Sequence, residues 1–112
     1  MAQSFYKGYE KRQALRISYR EEESPDIKIG SLCFKVSDLS ENGLQIIISN
    51  GAFHDEHLKG LIRLRDGRSI GISGKVIWKK DGKIGVKLIT PIPEAVIIRE
   101  HQLRAEKMDE NR

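Results

Sequence analysis

The chain has 112 residues, 38% hydrophobic and 32% charged, with one cysteine and a formal net charge of +4. Those values suit a single small globular domain with a modest core, and no run approaches the ~20 apolar residues that a membrane-spanning helix needs. Cys33 has no partner for an internal disulfide, and Met-Ala-Gln-Ser-Phe has no basic segment leading into an apolar stretch, so we expect a cytoplasmic protein without a secretory leader.

Charge is unevenly placed. Residues 1–20 hold Lys7, Lys11, Arg12, Arg16 and Arg20 against Glu10 alone, so this segment accounts for the whole net excess. A second basic zone runs from Lys59 to Lys87, where nine Lys or Arg face only Asp66 and Asp81. Local basic patches of this kind suit a discrete anionic ligand.

Residues 1–9 read as a flexible arm. From about residue 15 to 88 apolar residues alternate, the period of half-buried strands. Leu15, Ile17 and Tyr19 share one face of the first strand, with Arg16, Ser18 and Arg20 on the other. An acidic loop with Pro25 follows. Ile27 and Ile29 begin a second run that Leu32, Phe34 and Val36 continue across a bend at Gly30, with Cys33 read as a small core residue. Asp38 to Asn42 reads as a turn, and Leu44, Ile46 and Ile48 as the next strand. Leu58–Leu64, Ile70–Trp78 and Ile84–Leu88 complete a set of six. Asp66-Gly67 and Asp81-Gly82 between them are hairpin signals, because type I′ turns need positive φ at both central residues. Ile70, Ile72, Gly74, Val76 and Trp78 form one continuous face, with Gly74 a candidate bulge. After Pro91 the period changes. Pro93-Glu94 suits a helix start, Arg99–Lys107 is good helix material, and 108–112 form a tail. Six short strands joined by tight turns indicate an all-β barrel or sandwich, with the globular domain at 10–107.

Two strings carry chemistry. Arg12-Gln-Ala-Leu-Arg16 sets two arginines at i and i+4, and the planar guanidinium fork grips phosphate or the O6/N7 edge of guanine. Asp38-Leu-Ser40-Glu-Asn-Gly43 offers a carboxylate for the N–H donors on guanine's other edge, a hydroxyl that donates and accepts, and a glycine where the backbone turns or a ligand comes close. Together they describe a site for a compact anion that carries guanine bases.

In this order, ahead of a small β pattern, the strings resemble the PilZ domain, the bacterial receptor module for cyclic di-GMP. Its pattern is R-x-x-x-R followed by [D/N]-x-S-x-x-G, matched here at Arg12, Arg16, Asp38, Ser40 and Gly43. Gly74-Lys-Val-Ile-Trp78 and Gly85-Val-Lys-Leu88 resemble later strands of the family. The resemblance implies a six-stranded antiparallel β-barrel with a C-terminal α-helix. It implies that Arg12 and Arg16 lie on a segment that folds over the ligand and that Asp38, Ser40 and Gly43 hold a guanine. Trp78 has two readings: packing at a barrel end, or lining the site, since the family places a residue near there close to the ligand. Many relatives carry Arg where this chain has Lys11, which leaves open whether one cyclic di-GMP binds or two stacked molecules.

The expected function is therefore a cyclic di-GMP receptor that changes conformation on binding and signals to a downstream protein partner. No nucleophile–base pair or phosphate-cradling glycine loop is visible, so no enzyme activity, cofactor, DNA target or membrane insertion is expected. His54-Asp55-Glu56-His57 lacks a third ligand cluster, and no metal is expected there. Two other readings share the pattern. One is an OB-like small barrel for single-stranded nucleic acid, which would want several exposed aromatics. The other is a PilZ-like scaffold that binds only protein.

Overall fold

The computed structural model describes residues 15–48 and 53–110, with side chains through Leu103. Seven strands precede one described helix: β1 (Arg16–Ser18), β2 (Asp26–Ile29), β3 (Leu32–Ser40), β4 (Gly43–Ile47), β5 (His57–Arg63), β6 (Ser69–Lys80), β7 (Lys83–Leu88) and α1 (Glu94–Glu110), with a single 3-10 turn at Glu21–Glu23 after β1. Six strands close a ring in the order β2-β3-β4-β7-β6-β5, every neighbour antiparallel. In this closed order each of the six has a strand neighbour on both sides, which limits the edge a small sheet must otherwise protect.

The strand β1 stands outside this ring. It pairs with the second half of β3, on the edge whose first half pairs with β2, while β4 takes the opposite edge. β3 is thus a junction of three strands, and the candidate site lies at its C-terminal end.

Alternation fills the interior. Ile27, Val36, Leu39, Ile46, Ile62 and Ile84 are fully buried, and Ile17 and Tyr19 from the β1 segment join the same core. Each such burial contributes about 1.5–3 kcal/mol before conformational entropy is set against it. Phe34 and Phe53 meet edge to face at 6.3 Å. Ile97 and Glu100 on α1 are buried three positions apart, which sets the helix face turned to the barrel. Glu100 is 2% exposed and accepts hydrogen bonds from the Tyr19 hydroxyl at 2.9 Å and the Arg65 backbone N–H at 3.0 Å. The Arg65 guanidinium in turn reaches Glu23 at 3.0 Å.

Several expectations need correction. The run from Ile27 to Val36 is a hairpin rather than one bent strand. Gly30 takes φ +62° at the first central position of the Gly30-Ser31 turn, as a type II′ turn requires. Asp38–Ser40 belong to β3, and the turn is only Glu41-Asn42. Cys33 is exposed, because the Gly30-Ser31 hairpin sets it on the outer face opposite Lys28. The bulge in β6 falls between Val76 and Trp78 and not at Gly74. Gly74 instead permits close packing, since a Cβ there would sit 2.8 Å from the Lys87 carbonyl oxygen. Of the two Asp-Gly hairpins, only Asp81-Gly82 has positive φ at both residues, 53° and 78°. At Asp66-Gly67 only the glycine does, and Leu64 pairs with Arg68 across a three-residue loop. The arm at 1–9, with Lys11 and Arg12, lies outside the described residues.

Candidate functional site

The pairing of β1 with β3 brings the two sequence strings together. Arg16 stands directly across from Ser40, and Ser18 across from Asp38. The Asp38 carboxylate accepts a hydrogen bond from the Ser18 hydroxyl at 3.0 Å, and the same oxygen lies 3.5 Å from Arg16 Nε. Arg16 is otherwise open to solvent, with 59% of its side chain exposed against 19% for Asp38. A single contact of this length at a surface is worth about 0–1 kcal/mol, so the guanidinium can leave it at little cost. Asp38, braced by Ser18, keeps its position.

Ser40 donates its hydroxyl hydrogen to the Gly43 carbonyl at 3.2 Å, across the Glu41-Asn42 turn. Gly43 answers first to the fold, because a Cβ there would stand 2.8 Å from the Val86 carbonyl oxygen on the paired strand β7. The glycine lets β4 and β7 approach, and it puts no side chain into the groove that it lines.

The bulge at Ile77 decides where Trp78 points. Without it, Trp78 would follow Ile72, Gly74 and Val76 on one face. With it, the register slips by one residue and Trp78 comes opposite Gly85 on the outer surface. The indole lies directly on Gly85, where any Cβ would overlap the ring. Trp78 remains 40% exposed.

These residues line one open groove of about 330 Å³, bounded by Arg16, Asp38, Ser40, Gly43, Gln45, Ile77, Trp78 and Gly85. Four of the predicted site residues on β1, β3 and β4 therefore share it with Trp78 from across the barrel wall. Lys11 and Arg12 lie outside the described residues. Ser18, Gln45, Ile77 and Gly85 are additional components. Ser18 is legible as the next outward residue after Arg16. Gly85 shows no sign of its role until the bulge delivers an indole to it. The groove combines an exposed cation, a hydrogen-bonded acceptor, a hydroxyl and a flat aromatic face. That set suits a planar, hydrogen-bonding anion.

Comparison with known proteins bears on the family and the fold. The family model for the PilZ domain matches residues 10–105. No curated protein matches the chain. Among solved structures, the Bacillus subtilis inhibitor of motility (MotI/DgrA) superposes with TM-score 0.67 at 17% identity, over 87% of this chain and 52% of that one. An uncharacterised Legionella protein gives TM-score 0.60 at 16% identity, over 84% and 98% respectively. The Borreliella burgdorferi PlzA protein, solved in complex with c-di-GMP, gives TM-score 0.53 at 15% identity, over 92% and 55%. The chain thus spans about half the length of the Bacillus and Borreliella chains.

Proposed function

Because this chain belongs to the PilZ domain family, we propose that its groove binds cyclic di-GMP and that the protein is a cytoplasmic receptor passing ligand level to a protein partner. One observation carries the reading: Arg16, Asp38, Ser40 and Trp78, distant in sequence, line a single open groove. Arg16 exchanges its loose contact with Asp38 for a phosphate or the O6/N7 edge of a guanine, a charge-assisted contact worth about 1.5–3 kcal/mol. Asp38 accepts from the N–H donors on the opposite base edge. Trp78 offers one face for stacking while Gly85 backs the other. Arg12 and Lys11, the cations preceding Arg16, close over the second phosphate, and this closure changes the surface that a partner reads.

Titration calorimetry of the full chain with cyclic di-GMP tests the proposal, beside GMP and a short single-stranded oligonucleotide. Saturable binding of cyclic di-GMP alone is expected. Tighter binding of the oligonucleotide would favour a nucleic-acid barrel, and no binding of any nucleotide would favour a protein-binding scaffold.

A further inference from the structure

Around the barrel from the groove, the outer face of β5, β6 and β7 holds two rows of side chains that the nucleotide site does not use. His57, Lys75 and Lys87 stand directly opposite one another on adjacent strands, and the row ends at Gly43. In the next outward row Lys59 faces Ser73, whose carbonyl accepts the Ile89 backbone N–H at 2.8 Å. Neither row contains a carboxylate. Among the described residues, Lys59, Lys75 and Lys87 make no ion pair, so on this face their charge is not offset by a bonded carboxylate. Like charges set directly across a strand pair, as Lys75 and Lys87 are, disfavour the folded sheet. Ile89 stands beside them at 64% exposure, the largest value among the exposed large hydrophobic residues described.

The same face contains a concavity. A mainly apolar hollow of about 730 Å³ lies between β6 and the segment leading into α1, with Ile70, Gly71 and Ser73 on one side, Pro91 and Val96 on the other, and Lys59 among its lining. Gly71 and Ser73 present little side chain, so another backbone can come close. The face therefore has an apolar hollow, an exposed apolar neighbour and a basic margin without countercharge, the anatomy of an interface with a charged rim.

We propose that this face docks an acidic amphipathic segment of a partner protein. Its apolar side chains enter the hollow against Val96 and beside Ile89, and its carboxylates meet Lys59, Lys75 and Lys87. Two other anionic occupants fit less well. A single-stranded nucleic acid needs several aromatic stacking platforms, and the two rows and the hollow carry no Phe, Tyr or Trp, with His57 their one aromatic ring. A flat anionic membrane would meet the lysines but leave a concave apolar hollow unfilled.

The test uses the ¹⁵N-labelled full chain without nucleotide, so its result is independent of the groove. The probe is a short synthetic peptide with leucines at i and i+4 and glutamates elsewhere, compared with the same peptide carrying lysine for glutamate. Amide shifts that saturate and map to Lys59, Ser73, Lys75, Lys87 and Ile89 are expected with the acidic peptide alone. Affinity should fall at least about tenfold in a Lys59→Glu/Lys75→Glu variant, and again in Gly71→Phe, which fills the hollow at an exposed strand position. Both variants should keep the wild-type melting temperature within a few degrees. Shifts that are absent, or that map elsewhere, overturn the proposal. So does an oligothymidylate or a phosphatidylglycerol vesicle that binds the same residues more tightly than the peptide. A wild-type dimer that the lysine variant converts to monomer would assign the face to a second copy and overturn it equally.

Discussion

Arg16 and Asp38 differ in how firmly the fold holds them: Arg16 is mostly exposed, and Asp38 is partly buried and bonded to Ser18. Arg16→Ala should leave the barrel folded, since the side chain is mostly exposed and its one ion pair is weak. It should weaken cyclic di-GMP binding roughly ten- to a hundredfold, the equivalent of about 1.5–3 kcal/mol, read by calorimetry beside a melting curve. Asp38 gives a prediction in which the sign matters. Removing a carboxylate beside a dianion should tighten binding if charge alone counts, and it would also free Arg16. Base recognition predicts the reverse, because the acceptor is lost. Asp38→Ala is expected to bind more weakly than Asp38→Asn, and both more weakly than wild type. Gly85→Ala should displace the indole it supports. The expected outcome is a changed tryptophan emission spectrum and a loss of up to about 1–3 kcal/mol of base stacking, with the barrel intact by circular dichroism. The chemistry of Arg16, Asp38 and Ser40 was legible in the sequence because it is local and typed by side chain. The position of Trp78 was not, because a one-residue bulge reverses the face of everything beyond it, and its trace, the unbroken apolar run Val76-Ile77-Trp78, does not say which residue is the extra one.

At the level of elements, α1 is held to the barrel by more than apolar contact. Glu100 joins it to the segment after β1 through Tyr19 and to the β5–β6 connection through Arg65. Glu100→Ala should remove the acceptor that both donors share, at a cost of about 1–3 kcal/mol, lowering the urea midpoint, while Glu100→Gln retains one acceptor and costs less. The β5–β6 hairpin carries its own charge dependence. The Arg68 backbone N–H, aided by its guanidinium, holds the Asp66 carboxyl below the usual carboxylate range. A depressed value means that the stabilisation is complete above that range and is lost as pH falls through the folded-state value. An NMR titration should therefore place the Asp66 midpoint below that of the unfolded chain. The helix start at Pro93-Glu94 was legible from its end signals. The Gly30-Ser31 hairpin was concealed because apolar residues on both sides continue the period of a single strand.

For the whole molecule, the six-strand count came out right from different strands. Alternation joins β2 to β3 and counts β1 as a full member, whereas the ring closes without β1. Short-range alternation identifies strands but says nothing of which edge each one takes, and β3 takes three neighbours. The proposed closure belongs to this scale. Residues 1–11 should exchange their amide hydrogens more slowly in the cyclic di-GMP complex than in the free protein. Equal rates in a saturated complex would move the output to the barrel or α1. The ordering would cost roughly 1–2 kcal/mol for each backbone residue fixed, which limits affinity and keeps the response reversible.

The place of Gly43 between two strands separates the motif into parts under different constraints. A descendant released from nucleotide binding would be free to lose Arg16 and Asp38 by drift, because neither is needed to close the ring. It could not so readily lose Gly43, where any side chain meets the Val86 carbonyl. Among diverged copies of this domain, the glycine would then persist as a fossil of the barrel, and only the arginine and the aspartate would still vouch for the ligand.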